Sequence, residues 1–159
     1  METTERTEST ESTEPAAPAS ASIPPVTSLH HIGLTVSDVD ASEAWYGRVL
    51  GFERLVLEPH NGGTGYTVLI HRPGTSVDIG LDHHEGNEGE TFAEHRTGLD
   101  HLSMNVDRRE DLDDWRKHLD RLDIGHGEIT DRLEPFQFST LVFRDPDNIQ
   151  LELIWIGQG

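Results

Sequence analysis

Cysteine is absent from the 159-residue chain, which excludes a disulfide framework, a thiolate metal site and a cysteine nucleophile. Any bound metal must therefore be held by His, Asp or Glu. Positive charge is scarce: twelve basic residues face thirty acidic ones, giving a formal charge of −18. Such a surface repels phosphate backbones and anionic headgroups, so nucleic acid and membrane surfaces are excluded as partners. Long apolar runs are missing too; none approaches the roughly 18 residues that span a bilayer. The N-terminus lacks the basic and apolar regions of a targeting peptide, and the expected location is cytoplasmic. Lysine is almost absent, Lys117 standing alone beside the arginines. Acidic excess with little lysine suits concentrated salt, where self-repulsion is screened. The thermal unfolding midpoint is accordingly expected to rise across a KCl series into the molar range. A midpoint indifferent to salt would remove the halophilic reading.

With 33% hydrophobic residues, the length fits one domain of roughly 100–200 residues. Residues 1–26 are mostly Glu, Thr, Ser, Ala and Pro and bury almost nothing, so they are expected to form a disordered acidic tail before a domain spanning 27–159. Ile32, Leu34 and Val36 alternate with Gly33 and Thr35, the pattern of a strand with one face on a core. A helix follows from Asp40, with an apolar stripe of Ala41, Ala44, Trp45, Val49 and Leu50 and with Gly51 after its end. Further strands are expected at 52–57, 65–71 and 76–81, and the aperiodic stretch 82–97 reads as a linker. Asp145-Pro-Asp-Asn148 reads as a structural hairpin turn.

Internal self-similarity organises these elements. LHHIGLTV at 29–36 matches LDHLSMNV at 99–106, and the same offset of 70 places Trp45 on Trp115. Later, TVLIHRPGTSVDIGL lies over TLVFRDPDNIQLELI. The chain is thus two copies of a β-α-β-β-β unit, at 28–82 and 98–156. His31 and His101 fall at the same place in the first strand of each copy. If the copies pack about a pseudo-twofold axis, the two imidazoles converge on one point, and neutral imidazole is a common metal donor. Glu152 interrupts an apolar strand, where an unpaired carboxylate is costly. A metal cation is one partner for it and Arg144 another. His30 is expected to point away from His31, because successive strand residues face opposite sides.

His31-Ile-Gly-Leu-Thr-Val-Ser-Asp38, Ser42-Glu-Ala-Trp-Tyr-Gly-Arg-Val-Leu-Gly-Phe52, Gly98-Leu-Asp-His-Leu-Ser-Met-Asn-Val106 and Phe143-Arg-Asp-Pro-Asp-Asn-Ile-Gln-Leu-Glu-Leu153, in that order, resemble the vicinal oxygen chelate superfamily. This group includes glyoxalase-like, fosfomycin- and bleomycin-resistance and extradiol dioxygenase proteins. The resemblance implies an α+β fold of two tandem βαβββ modules forming a U-shaped metal-binding cleft. It implies His31, His101 and Glu152 as ligands of a divalent metal ion (Fe(II), Mn, Ni or Zn), and a small substrate whose vicinal oxygens chelate that ion. The position of a second glutamate in lactoylglutathione lyases falls on Gly80, which offers neither ligand nor base; this counts against the glutathione-linked isomerase reaction. Asp78, His83 and His84 lie nearby in sequence. Extradiol dioxygenases also use a nearby His and Tyr, residue types that Tyr66, His83 and His84 supply as catalytic candidates. The alternative is a metal-free, ligand-sequestering protein of the bleomycin-resistance type. Module exchange between chains would make a homodimer.

Overall fold

The structure is a computed structural model describing residues 23–157. Most of the acidic segment expected to be disordered lies outside these residues; its described part, 23–26, is exposed and without regular structure. Two βαβββ modules follow. The first comprises β1 (Ile32–Thr35), α1 (Val39–Leu50), β2 (Glu53–Pro59), β3 (Gly65–His71) and β4 (Asp78–His84). The second comprises β5 (Leu102–Asn105), α2 (Arg109–Arg121), β6 (Thr130–Arg132), β7 (Phe138–Arg144) and β8 (Gln150–Ile156). Their sheets have matching orders, β1-β4-β3-β2 and β5-β8-β7-β6, with β1 and β5 parallel to β4 and β8. The repeat seen in sequence is therefore a repeat of topology.

Helix α1 begins where Asp38 accepts a hydrogen bond from the Ala41 N–H (3.0 Å) and stops at Gly51, whose φ of 71° is the left-handed conformation that glycine adopts cheaply. Its buried face is Val39, Ser42, Trp45, Tyr46, Val49 and Leu50. Ala41 and Ala44, expected in that stripe, are exposed, because at 100° per residue they fall outside the arc centred on positions 42, 45, 46 and 49. Helix α2 is more polar and buries Leu112 and Leu119. No helix among the described residues is long and apolar enough to cross a membrane.

Strand alternation divides each sheet into two faces. Leu34, Val68, Ile70, Ile79 and Leu81 in the first module, and Leu102, Met104, Leu141, Phe143, Leu151 and Leu153 in the second, form the core beneath the helices. The opposite, uncovered faces carry Gly33, Gly80 and Asp82 in one module and Ser103 and Glu152 in the other.

The modules are joined through the turn 145–148. Trp45 of α1 stacks on Phe143 of β7 (6.4 Å between centroids), and the buried Tyr46 hydroxyl donates to Asp145 Oδ2 at 3.0 Å. Asp145 also accepts the backbone N–H groups of Asp147 (3.0 Å) and Ile149 (2.7 Å), while Asp147 accepts the Ser37 N–H (3.0 Å). Asn148 takes a φ of 67°, consistent with the turn expected from sequence. The turn is more than local, since its two carboxylates are buried against the other module. The linker is pinned to the same junction: the Phe92 N–H donates to the Asp147 carbonyl, and the Asn148 side chain donates to the Phe92 carbonyl, both at 2.9 Å.

Candidate metal centre

The parallel pairing of β5 with β8 sets Ser103 opposite Glu152, and both side chains stand on the uncovered face. The Ser103 hydroxyl donates to Glu152 Oε1 at 2.7 Å. His101 Nε2 lies 3.9 Å from the same carboxylate, and His101 Nδ1 lies 2.6 Å from Asp100 Oδ1. Asp100 as a carboxylate can only accept, so that short contact places the imidazole proton on Nδ1. In the neutral ring Nε2 is then a lone pair facing a second acceptor. Two acceptors turned toward one another, with a carboxylate behind the histidine, are the arrangement in which a cation is bound and its ligand oriented. Arg144 does not neutralise Glu152; its guanidinium is engaged by Glu94, Gln150 and the Asn148 carbonyl.

The first module presents the corresponding places differently. Gly33 and Gly80 pair where the second module has Ser103 and Glu152. Space over Gly80 is already filled: a Cβ there would meet Thr67 Cγ2 at 3.0 Å and Asp82 Oδ2 at 3.4 Å. The acidic side chains of this strand stand two residues to either side of Gly80, at Asp78, which is 2.6 Å from His71 Nδ1, and at Asp82. His31 is exposed, and its Nδ1 lies 2.8 Å from His30 Nδ1 with the rings edge to face. The expectation that His30 and His31 diverge fails because β1 begins at Ile32, so both histidines precede the alternating segment. The structure thus brings His101 and Glu152 together and leaves the His31 ring against its neighbour.

Strand β4 runs three residues past the expected end at 81, because Asp82, His83 and His84 pair with Thr67, Tyr66 and Gly65 of β3. Their alternation separates the catalytic candidates. Tyr66 packs on the core and stacks on His83 (5.0 Å), on the face away from Glu152's counterpart. His84 falls on the uncovered face with Asp82. There it meets His60, from the end of the β2–β3 hairpin, with ring centroids 4.7 Å apart. Among the described residues, His60, Asp82 and His84 form a group whose donor atoms all lie within 4.8 Å of one another. Sequence reading missed His60 and Asp82. The available signal was the two-residue spacing of Asp82 and His84, which puts both on one face once the strand is known to continue.

Residues 28–153 match the model of the Glyoxalase/Bleomycin resistance protein/Dioxygenase superfamily. The chain belongs to that superfamily. A solved glyoxylase/bleomycin resistance protein/dioxygenase domain from Frankia sp. EAN1pec is 34% identical, with a TM-score of 0.73, over 84% of this chain and all of that one. A glyoxalase family protein from Enterococcus faecalis (20% identity, TM-score 0.65, covering 80% of this chain and 96% of that one) has the same fold. So does lactoylglutathione lyase from Agrobacterium tumefaciens (20% identity, TM-score 0.61, covering 83% and 96%). No curated protein matches the chain. In this chain the two modules furnish their uncovered faces unequally.

Proposed function

We propose that this superfamily member is a divalent-metal-dependent enzyme of the glyoxalase/extradiol dioxygenase type, with His31, His101 and Glu152 as protein ligands. Its substrate is a small molecule that binds through vicinal oxygens. The observation that carries this reading is the 3.9 Å separation of His101 Nε2 from Glu152 Oε1, with Asp100 against the other ring nitrogen and Ser103 hydrogen-bonded to Glu152. Both donors lie within reach of one ion at roughly 2.0–2.2 Å from each. His31 is the third ligand of this proposal; in the structure it contacts His30 and does not group with His101 and Glu152 within 4.8 Å. When bound, such an ion supplies Lewis-acid stabilisation of charge developing on substrate oxygen.

The chain's own groups then position rather than transfer protons at this point. Asp100 keeps the His101 proton on Nδ1, and Ser103 occupies one carboxylate oxygen of Glu152 and holds its orientation. Gly80 supplies no base opposite them, which separates this site from a glutamate-shuttle isomerase. The test is turnover of catechols and 2-oxoaldehydes by protein freed of metal with a chelator. Activity on one class is expected to vanish on stripping and to return with Fe(II), Mn, Ni or Zn. Turnover unaffected by metal, or tight metal-free capture of a cationic drug with no turnover, would overturn the proposal.

A further inference from the structure

We propose that His60, Asp82 and His84 form a second divalent-cation site, built within the first module and separate from the His101–Glu152 pair. The three donors converge from two elements. His60 closes the β2–β3 hairpin, whose backbone is fixed by the His60 N–H on the Gly65 carbonyl (2.9 Å) and the Gly63 N–H on the His60 carbonyl (3.2 Å). Asp82 and His84 stand two residues apart on the uncovered face of β4. His60 Nε2 is 3.1 Å from Asp82 Oδ1, close to the spacing of neighbouring donors around an ion bonded at about 2.0–2.2 Å.

The surrounding backbone leaves room for this arrangement. A Cβ at Gly65 would lie 1.9 Å from the His83 carbonyl oxygen and 3.1 Å from His60 Nδ1, and a Cβ at Gly33 would lie 2.9 Å from Asp82 Oδ2. Gly65 also has a φ of 152°, a conformation that side-chain-bearing residues rarely adopt. Thr67 supports the ligands, its hydroxyl donating to Asp82 Oδ1 and lying 3.0 Å from His60 Nε2. An open cavity of about 560 Å³, bordered also by Glu58, gives an ion a path from solvent.

Two imidazoles and one carboxylate favour borderline cations such as Zn(II), Ni(II) or Co(II) over Ca(II) or Mg(II), which prefer oxygen alone. His60 Nε2 lies beside Asp82 Oδ1 and Thr67 Oγ1, and to hold an ion through that nitrogen the neutral ring carries its proton on Nδ1.

The test is a Zn(II) titration of the chelator-treated full chain by calorimetry, with Glu152→Gln used to remove the other site. The Glu152→Gln protein is expected to keep one tight equivalent. Adding His84→Ala, or independently His60→Ala, is expected to weaken that equivalent by about 100-fold or more. Equal Zn(II) affinity with and without these two substitutions would overturn the site. The outcome is distinct from failure of the proposed catalytic centre, which would appear as a wild-type stoichiometry unchanged by Glu152→Gln. His84 is exposed and His60 sits at a hairpin end, so circular dichroism of both variants is expected to match wild type.

Discussion

Replacing Asp145 with alanine is expected to lower the free energy of unfolding by about 3–5 kcal/mol, because it strips three buried donors of their acceptor at once. Those donors are the Tyr46 hydroxyl and the N–H groups of Asp147 and Ile149. Tyr46 is fully buried on α1 and Asp145 is 6% exposed after β7, so the loss falls on the junction between modules. Tyr46→Phe removes only the hydroxyl and is expected to cost about 1–2 kcal/mol. The same carboxylate gives stability a pH signature. Burial pushes Asp145 up to about 6, outweighing the hydrogen bonds from Ile149, Tyr46 and Asp147 that pull it down. An unfolded aspartate titrates near 3.9, so between about pH 4 and pH 6 the folded chain retains a proton that the unfolded chain has released. Stability therefore falls as pH rises through that window and levels off above it. Glu94 and Asp131 act with the opposite sign: their arginine partners hold both at about 2, so their contribution is lost only as pH falls below the unfolded carboxylate range. Urea unfolding at intervals from pH 4 to 7 checks the slope. Asp145→Asn should flatten it, and an unchanged slope would show that another group is responsible.

His101→Ala or Glu152→Gln is expected to weaken metal binding at the proposed catalytic centre by about 100-fold or more, and Asp100→Asn or Ser103→Ala by about 10- to 100-fold. The two tiers follow from what each group touches. His101 and Glu152 offer the opposed donors, whereas Asp100 and Ser103 only hold them in place. Titrations in the His84→Ala background isolate this centre from the cluster in the first module. A graded loss supports the assignment; four variants with wild-type affinity would show that the ion sits elsewhere.

The architecture was legible because the chain states it twice. The offset of 70 between the first strands survives in β1 and β5, and the offset near 72 to 73 in the β3–β7 and β4–β8 pairs, so sequence similarity alone carried the βαβββ repeat into space. The repeat also singled out His101 and Glu152, which lie 3.9 Å apart although His101 precedes β5. Less visible were contacts that depend on where an element stops. Histidines at 30 and 31 touch because the strand begins one residue later, and His84 joins His60 because β4 continues where composition suggests a linker. A charged, glycine-flanked strand end has no apolar partner positions to betray its period; only pairing with β3 reveals it. Asp145 and Asp147 read as turn formers, which they are, but their burial against α1 comes from the other module and leaves no local trace.

The most direct measurement is an anomalous-difference map from crystals of the protein loaded with Co(II) and Zn(II). A peak is expected about 2.1 Å from His101 Nε2 and from Glu152 Oε1, with the His31 ring turned off His30 to face it. A map in which that position stays empty at saturating metal, with His101 hydrogen-bonded directly to Glu152, would contradict the assignment.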